Sequence, residues 1–564
     1  MAETMPDHES WPSRAAGLAL LGAVLAVLFD LLMNEGQNRW TEDPLRIAGA
    51  SFLAVAGIVF GFTLERVRAD WSAVFALGTG LVVALVFYWN GSPGGWSAAD
   101  EWRVFSALLV VAIAAPLFQS VRDVGAWRVD YAPIHAHAWT NVVLWCAAWA
   151  FVFISWLLAN LLAELFNLIG IDLLREALKE SWFIAALMGG ALGGAIGLMR
   201  DRDTILGLLQ RVVTTVLSVL APVLAVGLVL FVLALPFTGL QPLWDKTSST
   251  TPILLAAVVG AFLLTNAVIG NAPEEEAEGR VVRLSAMALA VVMAPLAVVA
   301  AISTWLRIDQ YGFTPERLWA ATFVTIVLAI SLAYLWTVAR RRLAFAGRIR
   351  PMNVTLALGI AAVALLLATP IVNFGALSTR DQIARLESGK VKPAEFDWAA
   401  LRFDFGPSGR RALEKIRASG PAELRSLASQ ALATTDRWAA AEQVRVSGRQ
   451  ARLAQALRVV PQRAPVPGPL RLAIAQANVC RSGPCTLVWT SGEREAVAVG
   501  LPCDECQASV ARLVLDPKGI WQVLPSRGLD TVEGKSPDVA VQRQAIEAGQ
   551  VEVRPIQRRQ VFLK

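Results

Sequence analysis

The sequence predicts an all-α polytopic membrane helix bundle of about eleven transmembrane helices, followed by a soluble α-helical segment and a small β-rich C-terminal module. Three observations predict this fold class. Residues 15–375 form an almost continuous series of apolar stretches, each close to the ~20 residues that cross a bilayer core. Hydrophobic residues make up 55% of the chain and charged residues 17%, a balance that is rare among soluble proteins. Many of the 20 tryptophans fall near the ends of these stretches, as expected of rings that lie among lipid headgroups.

The apolar stretches define eleven predicted spans. The first stretch follows Asp7 and Glu9 and lacks the basic region of a cleaved signal peptide, so we expect it to remain in the protein as a span. In chain order, we place the spans at residues 15–33, 46–64, 71–89, 102–118, 140–169, 182–198, 212–235, 252–269, 284–305, 317–338 and 352–372.

Loop arginines and lysines predict the orientation, because cytoplasmic loops carry more of them than outer loops. Alternate loops counted from the N-terminus carry about fifteen, and the remaining loops about eight. Residues 1–14 are therefore predicted to be cytoplasmic. An odd number of spans then places the tail on the opposite face, which makes it periplasmic in a multi-pass protein of a bacterial cell inner membrane.

The polar tail is predicted to have three parts. Residues 376–460 are rich in Ala, Leu and Arg and predict a helical segment, with Thr379 and Gln382 as a candidate capping box. Residues 461–469, PQRAPVPGP, predict a stiff extended linker. Residues 470–564 contain short Val, Leu and Ile runs and an Asp-Pro-Lys-Gly turn signal, which predict a small cysteine-containing β-rich module.

Four of the five cysteines lie in that module, as the pairs Cys480 and Cys485 (CRSGPC) and Cys503 and Cys506 (CDEC). In an oxidising compartment such pairs favour structural disulfides, with all three pairings open. A zinc site and a redox-active CDEC pair are the alternatives. The fifth, Cys146, falls inside the fifth span, where we expect a buried and inert thiol.

Polar residues inside the spans are candidates for function, because ionisable groups in hydrocarbon are costly without partners or water. The fifth span carries Asn160, Glu164 and Asn167 on one helix face. We expect this strip to face the bundle interior, either as an interhelical hydrogen-bonding strip or as the wall of a polar cavity. Asp30, near the outer end of the first span, would complete such a cavity or reach interfacial water.

The densest polar constellation lies between the ninth and tenth spans and comprises Arg307, Asp309, Tyr311, Thr314 and Arg317. Its simplest explanation is helix capping, with Thr314 as the cap. Capping does not require the two arginines on either side of Asp309 and Tyr311. Two guanidinium groups beside a helix N-terminus suit a phosphate or carboxylate, so this is a candidate binding site for an anion or an anionic lipid headgroup.

The same segment carries a family resemblance. The sequence YGFTPER after a span, followed by a tail that begins STRDQIARLESGKVKPAEFDWAALRFDFGPSGRRAL, resembles the bacterial multi-pass membrane proteins catalogued as domain of unknown function 4153. Tyr311, Gly312, Thr314 and Arg317 match the recurring Tyr-Gly-x-Thr-x-x-Arg pattern of that family. The resemblance covers most of the spans and the first half of the tail. It implies an architecture and no mechanism.

The charged loops and the histidines do not predict a metal, cofactor or nucleic-acid site. An acidic run at residues 274–278 and a basic run at 340–350 are expected to fix topology at the lipid surface, or else to pair with one another. His135 and His137 lack a nearby cluster of metal ligands, so we predict no metal and no cofactor. The net charge of +6 is modest and spread over loops, which does not support nucleic-acid binding.

Three function classes remain after these exclusions. The first is a non-enzymatic envelope-associated protein whose bundle anchors a periplasmic binding or sensing module, with a periplasmic protein as partner. The second is a transporter or lipid-handling protein with a polar intramembrane site. The third is a membrane transferase acting on a lipid-linked substrate, for which Glu42 and Asp43 in the first outer loop are the candidate acidic pair. All three classes share the lipid bilayer as a partner, and the oligomeric state stays open.

Overall fold

The structure is a computed structural model in which the chain divides into two compact units, Met1–Leu424 and Arg425–Lys564. The residues it describes are 11–34, 41–90, 98–201, 203–246, 250–277, 279–393, 395–437, 446, 449–450, 453–454, 457–461, 464–477, 479–480, 484–501, 506–524, 538–554 and 560–563.

The first unit is helical throughout its described residues, apart from turns and connecting segments. The last of its helices crosses the boundary into the second unit. In order, the helices are α1 (Pro12–Met33), α2 (Pro44–Thr63), α3 (Ala69–Asn90), α4 (Ala98–Val124), α5 (Tyr131–Leu168), α6 (Leu173–Ala177), α7 (Ser181–Arg200), α8 (Asp203–Thr238), α9 (Gln241–Lys246), α10 (Thr250–Ile269), α11 (Arg280–Tyr311), α12 (Pro315–Arg341), α13 (Ala346–Ala368), α14 (Phe374–Glu387), α15 (Trp398–Phe403), α16 (Gly406–Ser419) and α17 (Ala422–Ala433).

Within the described residues, eleven helices are long and apolar enough to cross a membrane: α1 to α5, α7, α8 and α10 to α13. Each overlaps one of the predicted spans, so the prediction of eleven spans is confirmed. The protein is therefore a multi-pass membrane protein. Helix α5 has 38 residues, or about 57 Å at 1.5 Å per residue, and so it extends beyond a hydrocarbon core of about 30 Å.

Helices α1 and α7 pack in direct backbone contact. A Cβ atom added at Gly193 would overlap the backbone of Leu18, and one added at Gly22 would overlap the carbonyl group of Gly189. Small residues allow such an approach in membranes, where close packing replaces the hydrophobic effect as the force that holds helices together. The glycine-rich sequence of the predicted sixth span is therefore explained by packing within this chain.

Helix α11 lies at the centre of the largest core. Leu289, Met293 and Leu296 on it are fully buried, and its neighbours are α8, α10 and α12. Both ends of α11 reach polar surroundings. The helix begins at Arg280, beside the acidic loop. It ends at Tyr311, and the next residue, Gly312, stops the helix with a φ of 75°. Glycine adopts this backbone conformation without a steric penalty.

Helix α14 begins six residues earlier than a capping box at Thr379 requires. Asn373 caps this helix, and its side chain accepts a hydrogen bond from the backbone N–H of Ala376 at 2.9 Å. Thr379 lies inside the helix and donates its hydroxyl hydrogen to the carbonyl of Gly375 at 2.7 Å. The predicted capping box of Thr379 and Gln382 is therefore wrong, and Gln382 is free to make tertiary contacts.

The second unit contains a five-stranded sheet in the order β1-β2-β3-β4-β5, with β1 and β2 parallel and the other neighbours antiparallel. A two-stranded antiparallel pair, β6 and β7, accompanies it. The predicted small β-rich module is confirmed. Its strands and helices are β1 (Leu457–Val460), α18 (Gly468–Gln476), β2 (Cys485–Val488), β3 (Glu495–Gly500), β4 (Ser509–Leu515), β5 (Trp521–Leu524), α19 (Val539–Ala548), β6 (Val551–Arg554) and β7 (Gln560–Leu563).

The boundaries within the tail differ from the predicted ones. Strand β1 comes from the segment predicted to be helical, and it pairs with β2 along its whole length. Helix α18 begins at Gly468, inside the nine residues predicted as an extended linker. The Pro-rich sequence therefore connects two elements of one small unit. Local composition predicts an extended chain at residues 461–469. It does not show that the elements before and after this segment belong to the same small unit.

The turn between β4 and β5 follows the predicted signal. Asp516 accepts hydrogen bonds from the backbone N–H groups of Lys518 and Ile520, both at 2.9 Å. Gly519 has a φ of 81°, which this tight connection requires and glycine tolerates. The core beneath the sheet includes the fully buried side chains of Leu487 and Leu513.

Candidate functional site

The segment at the end of α11 and the start of α12, residues 310–317, forms a tightly hydrogen-bonded corner. Thr314 caps α12 and accepts a hydrogen bond from the backbone N–H of Arg317 at 3.3 Å. The Arg317 guanidinium donates to the carbonyls of Tyr311 at 3.2 Å and Gly312 at 2.9 Å. It also lies over the Tyr311 ring, 5.2 Å from its centroid. The capping explanation of this segment is therefore supported in detail.

Helix α14 completes the corner with side chains that lie 68 to 75 residues further along the chain than the groups they contact. Asp381 accepts a hydrogen bond from the backbone N–H of Phe313 at 2.8 Å. Gln382 donates to the carbonyls of Tyr311 at 2.9 Å and Phe313 at 3.0 Å. Arg385 donates to the carbonyl of Gln310 at 2.7 Å. These side chains satisfy backbone groups that α11 leaves unpaired at its end, and they fix the start of the tail to the connection between the ninth and tenth spans.

The predicted anion site is thus only partly assembled. The structure brings Tyr311, Thr314 and Arg317 together, but Arg317 is directed at two carbonyl oxygens of the corner. Arg307 is half-buried and Asp309 is exposed, both on the last turns of α11. Within the described residues, no hydrogen bond or ion pair joins Asp309 to the other members. A site for an anion remains a prediction, and the corner's observed role is structural.

The predicted polar strip of α5 is exposed at its central residue. Glu164 is exposed, and Asn160 donates to the carbonyl of Trp156 in its own helix at 2.8 Å. Asn167 is half-buried near the end of α5. The expectation of an inward-facing strip is therefore wrong for Glu164, because the spacing shows which residues share a face but not which way that face points. Cys146, on the same helix, is an exposed free thiol and not the expected buried one.

Two acidic candidates near the first span have local structural partners. Asp30 accepts a hydrogen bond from the Ser181 hydroxyl at 2.8 Å, which links the ends of α1 and α7. Asp43 caps α2 and accepts from the backbone N–H of Leu45 at 2.9 Å, while Glu42 is exposed. Helix capping therefore accounts for Asp43, as the proline after it suggests.

A ring of three hydrogen bonds is buried between α10, α12 and α13. The hydroxyl of Tyr334 donates to Oδ1 of Asn353 at 2.7 Å, and Nδ2 of Asn353 donates to Oδ1 of Asn266 at 2.6 Å. Nδ2 of Asn266 donates to the Tyr334 oxygen at 2.9 Å and closes the ring. Tyr334 is fully buried, so these bonds satisfy groups that the apolar core would otherwise leave unpaired.

The acidic and basic loops meet beside this ring. The Arg350 side chain is 8% exposed and forms an ion pair with Glu276 at 3.3 Å. It also donates to the carbonyls of Ile269, Gly270 and Ala272, at the end of α10 and just beyond it. The alternative that the two runs pair with each other is confirmed at this contact. Arg350 thereby fixes the loop that carries the acidic run.

His135 at the start of α5 contacts the same loop. Its Nε2 atom accepts a hydrogen bond from the Trp139 indole at 3.1 Å, and its Nδ1 atom bonds to the side-chain oxygen of Asn271. Because an indole nitrogen can only donate, the imidazole proton lies on Nδ1. Both ring nitrogens are occupied, which leaves no lone pair for a metal. His137 pairs instead with Asp123 at 3.0 Å.

A cavity of about 780 Å³ opens between these elements. Helix α8 supplies one wall, and the end of α10, the acidic loop and the second turn of α5 supply the other. A volume of this size falls within the range of small-molecule sites, about 300–1,000 Å³. Its polar lining residues are His135, Gln210, Arg211, Thr214, Thr215, Ser218, Asn266, Asn271, Glu274 and Glu275.

Comparison with known families assigns the membrane region. Residues 70–416 match the family described as Domain of unknown function (DUF4153). The chain belongs to the DUF4153 family. Comparisons with curated proteins and with solved structures found no match.

The DUF4153 region runs from α3 to α16 and contains both polar sites. The two stretches that carry the family resemblance, YGFTPER and STRDQIAR, contact one another in the corner of α11, α12 and α14. The match ends before the cysteine-bearing unit, as the resemblance implied. In that unit Cys480 and Cys485 form a disulfide, Cys506 is also disulfide-bonded, and Cys503 lies outside the described residues.

The cavity of this DUF4153 protein was missed by sequence reasoning, although one signal was available. Gln210, Thr214 and Ser218 recur every four residues, which places them on one face of α8 as it enters the apolar region. Hydroxyl groups are common in membrane helices and attract less notice than charges. The opposite wall comes from residues distant in the sequence, such as Ala267, which is 49 positions from Ser218, so no local pattern encloses the cavity.

Proposed function

We propose that this protein is a non-enzymatic protein of the bacterial inner membrane, whose helix bundle anchors a periplasmic module for binding or sensing. The observation that carries the proposal is the second unit, which has its own sheet, its own buried core and a disulfide between Cys480 and Cys485. Disulfides persist in oxidising compartments, so this bond supports the outer location that loop charges predict for the tail.

The position of the cysteines supports a structural role for the bond. Cys485 begins β2 and is 5% exposed, and Cys480 is 7% exposed beside the sheet. Their Cα atoms lie 5.4 Å apart, within the ordinary range for disulfides. A unit of about 140 residues built on one five-stranded sheet gains stability from such a crosslink.

The corner at residues 310–317 supports the anchoring part of the proposal. Helix α14 is the first element after the last span, and three of its side chains bind the connection between α11 and α12. The chain therefore leaves the membrane region in one fixed direction. A fixed start of the tail supports the anchoring role proposed for the bundle.

The location is tested by labelling intact cells with a membrane-impermeant thiol reagent, before and after reduction. We expect Cys480 and Cys485 to be labelled only after reduction. Two single-cysteine controls calibrate the result, with Ser388→Cys in the tail accessible throughout and Arg341→Cys in the opposite loop inaccessible. Protection of both native cysteines in reduced intact cells, followed by labelling once the membrane is opened, would contradict the proposal.

The binding role is tested with a photoreactive amino acid at Val523, an exposed position on the edge strand β5. We expect ultraviolet light to link it to a discrete periplasmic protein, identified by mass spectrometry. The same group at Leu20, on the exposed face of α1, serves as the matched control and should link only to lipid or membrane proteins. Identical products from both positions would argue against a periplasmic partner.

The polar cavity favours a second candidate function, the handling or transport of a lipid or another amphiphile. Filling the cavity with Thr215→Trp should remove lipids that otherwise stay bound through purification. Val223→Trp, on an exposed part of the same helix, is the matched control and should retain them. Native mass spectrometry of the purified full-length protein measures both, and unchanged lipid content in Thr215→Trp would rule out the cavity as a lipid site.

A further inference from the structure

The cavity beside α8 is lined by one arginine and two glutamates, and the arginine does not pair with either of them. Arg211 lies on α8 and Glu274 on the loop after α10, and both line the same cavity. Neither side chain makes a hydrogen bond or ion pair within the part of the chain that the structure describes. The two walls therefore hold the charges apart, beyond ion-pair distance, with open space between them.

The contrast with nearby charges makes this arrangement informative. Glu276, two residues from Glu274, is paired with both Arg283 at 3.2 Å and Arg350 at 3.3 Å. The fold thus neutralises the adjacent carboxylate with two arginines and leaves Glu274 and Arg211 directed at the cavity. A ligand that carries both charges would satisfy both groups at once.

The hydroxyl groups of α8 define the chemistry between the two charges. Thr214, Thr215 and Ser218 each donate their single hydroxyl hydrogen to a backbone carbonyl one turn earlier, at 2.7–3.1 Å. Their oxygen atoms keep lone pairs that can accept further hydrogen bonds. Together with the carboxylates of Glu274 and Glu275, they make the cavity rich in acceptors, which suits a ligand group with several N–H donors.

The cavity is also predicted to lie at the depth of a lipid headgroup, because it extends from charged loops into an apolar span. It follows α8 from Gly207 to Val219, about 18 Å along the helix, from the charged loops into the apolar span. Val212 and Val216, on α8 beside the cavity, are 52% and 53% exposed, and Val219 lines the cavity itself. A polar group inside the cavity can therefore stay attached to acyl chains along α8.

We propose that this cavity binds a phosphoethanolamine group, with the phosphate at Arg211 and the ammonium at Glu274 and the hydroxyl oxygens of α8. The proposal rests on the second candidate function and names its ligand. Arginine binds phosphate through two parallel N–H groups, and a primary ammonium offers three donors to the acceptors around it. The group can come from a phospholipid or from a free zwitterion, since the recognised chemistry is the same.

The test is native mass spectrometry of the full-length protein in detergent, titrated with phosphatidylethanolamine and with phosphatidylglycerol of the same acyl chains. We expect phosphatidylethanolamine to bind about tenfold more tightly, because phosphatidylglycerol lacks the ammonium group. Arg211→Ala and Glu274→Gln should each weaken its binding by about tenfold. Arg341→Ala and Glu101→Gln remove the same charges from exposed sites outside the cavity and should bind as the wild type does.

The source of the group is distinguished by competition with soluble O-phosphoethanolamine, with glycerol phosphate as its control. Displacement of the lipid by O-phosphoethanolamine alone supports a free zwitterion, and retention of the lipid supports the headgroup. Equal binding of the two lipids, with both lost in Thr215→Trp, would overturn the phosphoethanolamine proposal but leave lipid handling intact. Retention of both lipids in Thr215→Trp would overturn both. Circular dichroism and gel filtration confirm that each variant is folded.

Discussion

The two ends of α11 differ in how their polar groups are used. At the end near Tyr311, side chains from α12 and α14 are directed at backbone carbonyl and N–H groups of the corner. At the start, near residue 280, Arg211 and Glu274 line a cavity without partners among the described residues. Both ends carry several charged residues in the sequence, yet it is at the start that charged residues line an open cavity.

This difference shows that the density of charges does not identify a binding site. Charged side chains near a helix end commonly satisfy the backbone groups that the helix leaves unpaired. A charged side chain that does not satisfy a backbone group, and that lies beside a cavity, is the stronger indication of a ligand. Side chains that bond to backbone groups should therefore affect stability, and the unpaired charges of the cavity should affect ligand binding. Both effects can be measured.

The largest effect on stability is expected from Arg350→Ala, at the edge of the cavity. Its side chain is nearly buried and bonds to Glu276 and to three carbonyls around the end of α10. Removing it takes one of two arginines from the Glu276 carboxylate and leaves carbonyls around the end of α10 unpaired, so we expect a loss of about 3–5 kcal/mol in the free energy of unfolding. Unfolding in mixed micelles of increasing SDS content, followed by circular dichroism, measures it. Arg348→Ala, on the exposed face of the same helix, should change little.

An intermediate effect is expected from Asp381→Ala in the corner. The substitution removes the acceptor for the backbone N–H of Phe313, which costs about 1–3 kcal/mol when the donor is left unsatisfied. Glu387→Ala on the exposed end of α14 is the control. Lipid binding measured on the same sample should stay at the wild-type level. A loss of lipid binding together with a small change in stability would indicate that the lipid binds at the corner and not in the cavity.

The smallest effect on stability is expected from Arg211→Ala and Glu274→Gln. Neither side chain has a partner among the described residues, so the free energy of unfolding should change by less than about 0.5 kcal/mol. The same SDS titration measures it. Losses as large as that of Asp381→Ala would show that these charges hold the fold, and the contrast between the two ends of α11 would then disappear.

The membrane part of the fold was predictable because each span is a local property of the sequence. Twenty or so apolar residues must form a helix in lipid whatever surrounds them, since no water is there to satisfy the backbone. The cap at Thr314 was predictable for the same reason, as its partner is three residues away. Strand β1 was not, because its pairing with β2 depends on residues about 28 positions further along the chain.

The candidate sites depended on contacts that sequence spacing does not contain. Spacing correctly placed Asn160, Glu164 and Asn167 near one another, but which side of α5 meets other helices depends on packing. The contacts of Asp381 and Gln382 with the corner span about 70 residues. Glu274 and Glu276 are two residues apart with the same chemistry, and only the arginines around them decide which one is neutralised.

The backbone contact between α1 and α7 has a consequence for synthesis of the chain. Residues 34–180 are made between the two helices, and at about 5–20 residues per second this takes about 7–30 s. Throughout that interval the glycine face of α1 meets lipid or an insertion factor instead of Gly189 and Gly193. In a newly inserted chain, the glycine face of α1 must therefore be covered by lipid or by an insertion factor until α7 has been made, and must then be released to pack against α7.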